Sequence, residues 1–163
     1  MRLRTPALVA LWALAWAATG ACAPPGSQAS SPPSPPSFAR FAHHWQRHGL
    51  TVEIARDGSL TATWRTYRFC SEASPPCDEM QDDVITDGGR GTGVLRRVSG
   101  ATATGEVTST NDASTWPQGP LSITLGEYDT AWIQVGQQSL TVCGPAFART
   151  APAAVVDRAP CGA

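Results

Sequence analysis

Between Leu50 and Trp64, large apolar and polar side chains alternate. Leu50, Val52 and Ile54 are separated by Thr51 and Glu53, and after Asp57-Gly58 the alternation resumes through Leu60, Ala62 and Trp64. Successive strand side chains point to opposite faces, so a period of two marks a strand with one covered face, and Asp-Gly supplies a tight turn. The pattern predicts a β-hairpin over 50–64. Beyond Trp64 the large residues change parity to Tyr67 and Phe69, which predicts either a bulge near Arg65 or a strand covered on both faces. Further strands are predicted over 93–98, 102–110, 121–128, 131–135 and 139–143, separated by turn-forming residues. No segment sustains a 3.6-residue period, and one short helical turn is expected over 78–86. Several short, punctuated strands imply an all-β domain, a small antiparallel barrel or a sandwich.

The N-terminal end follows a different pattern. Arg2 and Arg4 precede an uncharged apolar run over 6–19, the signature of a signal peptide, expected over 1–21. A run of about 14 residues at about 1.5 Å each covers roughly 21 Å, short of the roughly 30 Å hydrocarbon core of a membrane. Thr19-Gly20-Ala21-Cys22 is similar to the lipobox of bacterial lipoproteins, with Thr19 where that motif usually carries Leu. That resemblance makes Cys22 the expected lipidation site; cleavage after Ala21 without lipidation would give a secreted chain. Residues 22–37 hold the lipidation site and a Pro/Ser-rich linker with no large apolar side chain before Phe38. Such a segment buries nothing and forms an extended tether of up to about 46 Å. A single all-β domain is then expected over 38–163.

Charge narrows the function classes. The 12 basic residues are all Arg and face 13 acidic ones, a net charge of -1. Removing Arg2 and Arg4 with the signal leaves about -3, which argues against nucleic acid as a partner. With 42% hydrophobic residues, and only 14 Pro and 15 Gly among 163, the chain is neither collagen-like nor wholly disordered.

Five cysteines are an odd number for an exported chain, and lipidation of Cys22 removes the odd one. Cys70, Cys77, Cys143 and Cys161 can pair in three ways. Cys70 with Cys77 is expected because Pro75 and Pro76 turn the chain back between them, and Cys143 with Cys161 because a staple there holds the chain end. Closed loops of about 8 and 19 residues are worth roughly 2.5 and 3 kcal/mol in the chain-entropy description. Cys70-x6-Cys77 lacks the close spacing of zinc ligands.

Candidate chemistry is sparse. His44 and His48 would share a face if helical, with His43 adjacent, but Trp45 stands where H-E-x-x-H carries its general base. No metal site is expected, with His44 and His48 the only candidates for one. Asp78, Glu79, Asp82, Asp83 and Asp87 offer oxygens for Ca2+, yet their spacing departs from an EF-hand and reads as a solvated acidic loop. The glycines of Gly88-Gly89-Arg90-Gly91-Thr92-Gly93 match no phosphate-binding motif and predict a turn. No G-x-S-x-G elbow occurs, and the cysteines serve disulfides better than nucleophilic catalysis. Trp116, in STWPQGP, is expected in a loop as a contact residue.

The ordered set HHWQRHGLTVEIARDGSLTATWRTYRFC, PPCDEM, ITDGG, LTVCGPAFAR and a terminal APCGA resembles a family of uncharacterised secreted or lipid-anchored actinobacterial proteins. The resemblance implies export and a four-cysteine framework, and it supplies no catalytic residues. The chain is therefore expected to bind or interact at the cell envelope, on the extracellular face of the membrane or secreted. Its expected partners are the membrane, through the N-terminal lipid, and a ligand or envelope protein; no cofactor is expected. Two alternatives stand beside this reading. One is metal-assisted hydrolysis through His43, His44 or His48; the other is an inhibitor presenting the Cys70–Cys77 loop.

Overall fold

A computed structural model describes residues 36–161. The expected signal peptide, Cys22 and most of the linker lie outside the described residues. The alternating patterns become β1 (His44–Arg47), β2 (Leu50–Ile54), β3 (Ser59–Trp64), β4 (Glu79–Gln81), β5 (Val84–Thr86), β6 (Gly89–Ser99), β7 (Thr102–Thr110), β8 (Gly119–Leu125), β9 (Thr130–Val135) and β10 (Gln138–Cys143). Eight of these close into an antiparallel barrel in the order β1-β2-β3-β6-β7-β8-β9-β10, with β10 returning to β1, while β4 and β5 form a separate hairpin. Of the two architectures open to the sequence, the chain adopts the barrel. Each barrel strand lies beside its neighbour in the barrel's chain order, as short turns favour, and the longest connection between barrel strands, from β3 to β6, carries the β4–β5 hairpin.

The hydrophobic half of each alternation fills the interior. Trp45, Val52, Ile54, Leu60, Ala62, Trp64, Leu95, Val107, Leu121, Ile123, Ile133, Val135 and Val142 form one buried cluster. An eight-stranded barrel encloses just enough room for side chains or one small ligand, and here side chains occupy it. Phe38 and Phe41 close the end formed by the β2–β3 and β6–β7 turns: the ring of Phe38 packs against Gly58, and Arg40 donates to the Gly100 carbonyl. The Trp45 indole N–H donates to the Phe41 carbonyl at 2.9 Å, fixing this plug to the wall. Trp116, from the β7–β8 loop, is buried at the opposite end.

Four local expectations are corrected. The Gly-rich stretch is not a turn: Gly89, Gly91 and Gly93 occupy the inward positions of β6. A Cβ on Gly89 would lie 2.1 Å from Trp64 Nε1, and one on Gly91 would lie 3.2 Å from the Trp116 ring, so this bare wall is where both indoles fit. The parity change after Trp64 is neither a bulge nor a two-faced strand. The strand stops there, and Tyr67 turns the chain at φ 59°. Residues 78–86 form a hairpin rather than a helical turn; Asp82 and Asp83, at φ 50° and 64°, make the left-handed two-residue turn that fits a right-twisted ribbon. The strand expected over 121–128 ends at Leu125, where Gly126–Asp129 turn into β9. The short β1, and the four-residue helices α1 (Phe147–Thr150) and α2 (Ala153–Val156), carry too little pattern to be read in advance.

Both disulfides are the expected pairs, Cys70–Cys77 with Cα atoms 5.0 Å apart and Cys143–Cys161 with Cα atoms 5.7 Å apart. Two structural disulfides belong to an oxidising, extracytoplasmic environment. Among the described residues no helix is long and apolar enough to cross a membrane. The second disulfide has a role beyond holding a tail. The barrel closes where β1 meets β10, a seam with a single register pair, Gln46 opposite Cys143. The terminal segment reinforces that seam: the His48 N–H donates to the Pro160 carbonyl at 3.3 Å, beside the bridge from Cys143 to Cys161.

Candidate functional site

The connection from β3 to β6 is organised by Asp78, which is 1% exposed. Its carboxylate accepts three backbone N–H groups: Thr66 at 2.9 Å and Gly88 at 2.9 Å on Oδ1, and Tyr67 at 2.8 Å on Oδ2. Burial pushes its pKa up, but the N–H donors of Thr66, Gly88 and Tyr67 outweigh burial and hold it below the ordinary carboxylate value. Asp78 thereby ties both ends of the connection to the hairpin's base, and the Cys70–Cys77 bridge closes the loop between them. The Cys70–Cys77 loop stands at the surface, with Ser71, Glu72, Ser74 and Pro75 exposed.

The connection also walls a pocket of about 450 Å³ at the barrel end that Trp116 closes. Trp64 and Trp116 stack, with centroids 6.0 Å apart and planes 20° off parallel. Asp112 secures the β7–β8 loop: its carboxylate accepts from the backbone and hydroxyl of Ser114 and, at 3.4 Å, from the Trp64 indole. Its pKa falls to about 2, because burial, which raises it, is exceeded by hydrogen bonds from Ser114, Thr115 and Trp64. Gln138 donates to the Ser114 carbonyl at 2.7 Å and joins this loop to β10. The Trp116 indole N–H is buried without an acceptor among the described residues.

Around the indoles the lining is partly apolar and partly basic. Leu50, which begins β2, and Leu140, within β10, are half-buried, and Tyr67 is 64% exposed. The tight β1–β2 turn brings in Arg47, His48 and Gly49, and the Arg65 N–H donates to the Gly49 carbonyl at 2.8 Å. Gly49 is required here: it sits at φ 68°, and a Cβ would meet the Tyr67 hydroxyl at 2.6 Å. Tyr67 in turn stacks on the His48 ring, 6.4 Å between centroids and 19° from parallel. Arg65 Nε lies 3.4 Å from Asp87. Neither Asp nor Glu lines the pocket.

The histidines anticipated as metal candidates, His44 and His48, stand at opposite ends of β1, His44 opening the strand and His48 in the turn beyond it. His44 Nε2 sits 3.4 Å from Glu53 on the outer wall, and His43 meets the Trp45 ring edge-on. His48 belongs to the pocket turn. Three strand steps from His44 to Arg47 span about 10 Å, so His44 and His48 cannot reach one ion. The acidic residues take unlike roles: Asp78 is a buried pin, Asp82 and Asp83 form a turn, and Asp87 faces Arg65. Among the described residues no group of three or more His, Cys, Asp or Glu is arranged to hold a metal. Trp116 departs from the expected exposed contact; it is 1% exposed and serves as a plug. The sequence reading missed Arg47, Leu50, Arg65, Tyr67 and Leu140 as a group, because barrel closure alone unites them. Compared with protein-family profiles, curated proteins and solved structures, the chain matches none.

Proposed function

We propose that this chain is an exported binding protein of the cell envelope, tethered to the outer face of the membrane by a lipid on Cys22, and that it takes up a small molecule at the barrel end. The observation that carries the binding reading is the pocket of about 450 Å³ over the Trp64–Trp116 stack. Its volume lies within the range of about 300–1,000 Å³ that small-molecule sites occupy, and it combines apolar walls with a few polar groups. Its wall is held by a carboxylate pin, a disulfide and a loop cap, so little ordering entropy is lost on binding. The resemblance to secreted or lipid-anchored proteins, the TGAC sequence and the Pro-rich linker support the envelope location.

The uncharged fluorogenic probe N-phenyl-1-naphthylamine tests the pocket. Saturable one-to-one binding, weakened at least about fivefold by Leu140→Arg, is the expected result; a probe that fails to saturate, or is indifferent to Leu140→Arg in a folded variant, overturns it. For the tether, the wild-type chain expressed in an actinobacterial host should fractionate with membranes and Cys22→Ser should not. A mass spectrum showing an unacylated mature N-terminus on wild-type protein would refute the anchor.

A further inference from the structure

We infer that the ligand of the barrel-end pocket is an organic anion with an apolar body, an assignment that rests on the binding reading above. Two arginines from separate elements line the pocket, Arg47 at the end of β1 and Arg65 just beyond β3, and neither Asp nor Glu does. The whole chain carries a net charge of -1, so the pocket's charge runs against that of the molecule around it. Arg65 is half-buried and oriented by Asp87, 3.4 Å from its Nε. Arg47, also half-buried, has no ion-pair partner among the described residues. A guanidinium presents planar N–H donors that match the oxygens of a carboxylate, sulfonate or phosphate. Arg65 is already compensated by Asp87, so the cation a neutral occupant would cover without returning charge is Arg47, which is unfavourable in a partly desolvated site.

The remaining lining defines the other half of the ligand. Leu50, Leu140 and Tyr67 offer apolar and aromatic surface beside the arginines, over a floor closed by the two buried, stacked indoles. The occupant therefore joins an acidic group to an aromatic or aliphatic body. A free amphiphile and a membrane lipid share this chemistry. The pocket's volume, within the range of small-molecule sites, favours the free form.

The matched pair 1-anilinonaphthalene-8-sulfonate and N-phenyl-1-naphthylamine tests the assignment, because the two probes share an aromatic body and differ by the sulfonate. In low salt the sulfonate should bind about tenfold more tightly or better, since hydrogen bonds to charged groups are the strong ones. Arg47→Ala should remove most of that advantage and leave the neutral probe within about twofold, while Arg47→Lys restores part of it. Added salt should narrow the gap, as screening of a partly exposed pair requires. Equal affinity for the two probes, or an advantage untouched by Arg47→Ala in a folded protein, overturns the anionic assignment while leaving the pocket reading intact. Failure of both probes to bind defeats the pocket reading itself. Sedimentation with phosphatidylcholine vesicles containing phosphatidylglycerol separates the ligand sources: binding to vesicles without binding of the monomeric sulfonate overturns the free-ligand assignment.

Discussion

Replacing Asp78 by asparagine changes a single atom in a buried position, and its effect can be worked from the three bonds it receives. The amide retains one accepting oxygen. If that oxygen keeps the Oδ1 position, it still receives Thr66 and Gly88, but the new NH2 group then faces the Tyr67 N–H, 2.8 Å from the atom it replaces. One charge-assisted bond is lost and a donor is left facing a donor, a cost of about 3 kcal/mol; Asp78→Ala, which removes all three acceptors, should cost about 5 kcal/mol or more. An unfolding entropy of about 2.1 cal/mol/K per residue, over residues 36–161, converts 3 kcal/mol to a Tm lowered by about 11 °C. Thermal unfolding followed by near-ultraviolet circular dichroism measures this, with Asp83→Asn, at the exposed left-handed turn, as a control expected to move by less than about 2 °C. The pH dependence has a definite sign. Because the folded pKa of Asp78 lies below its ordinary 3.8, its stabilisation is present above that value and is lost as pH falls through the folded pKa. The gap between wild type and Asp78→Asn should therefore narrow on acidification. A Tm within about 3 °C of wild type at pH 7 would refute the role of Asp78 as a pin.

Three further outcomes follow from the same geometry. Gly89→Ala places a methyl group 2.1 Å from Trp64 Nε1 and should cost about 3 kcal/mol with a red-shifted tryptophan emission, whereas Gly91→Ala, at 3.2 Å from Trp116, should cost about 1 kcal/mol or less; urea midpoints compare them. Replacing Cys143 and Cys161 together by serine should destabilise by about 3 kcal/mol in chemical unfolding, and non-reducing peptide maps of the wild type should show Cys70–Cys77 and Cys143–Cys161 without crossed pairs. Asp112, with a pKa of about 2 in the folded chain, contributes stability that is present above its ordinary 3.8 and lost as pH falls towards 2, so Asp112→Ala should flatten tryptophan-monitored stability across that interval.

Legibility in the sequence follows the range of the forces that set each feature. The hairpin over 50–64 was readable because alternation and an Asp-Gly turn are local, and the strands over 102–110 and 131–135 for the same reason. The glycines of 88–93 misled because glycine usually marks a turn, yet Gly89, Gly91 and Gly93 themselves alternate, and that period of two was the available signal for an inward strand face. The 78–86 hairpin was not legible as strands because each holds only three residues, too few to show a period, while it is shaped by two left-handed aspartates and by contacts at Asp78. The pocket was not legible at all. Arg47, Arg65, Thr115 and Leu140 come together only through closure of the barrel, and no local spacing encodes their proximity.

The seam between β1 and β10 sets an order of events in time. Gln46 opposite Cys143 joins the first strand to the last, and the reinforcing contacts come from Pro160 and Cys161, beyond both. A chain delivered N-terminus first can pair β2 with β3 and β6 with β7 as they emerge, but its first strand waits unpartnered along one edge until the last has arrived. Such long-range closure is slow, and in the interval the exposed edges of β1 and of the most recent strand are the places where another chain can add. The Cys143–Cys161 bridge is then a latch that engages only after β10 and the segment behind it have been delivered, so a molecule truncated before Cys161 lacks the bridge beside the seam.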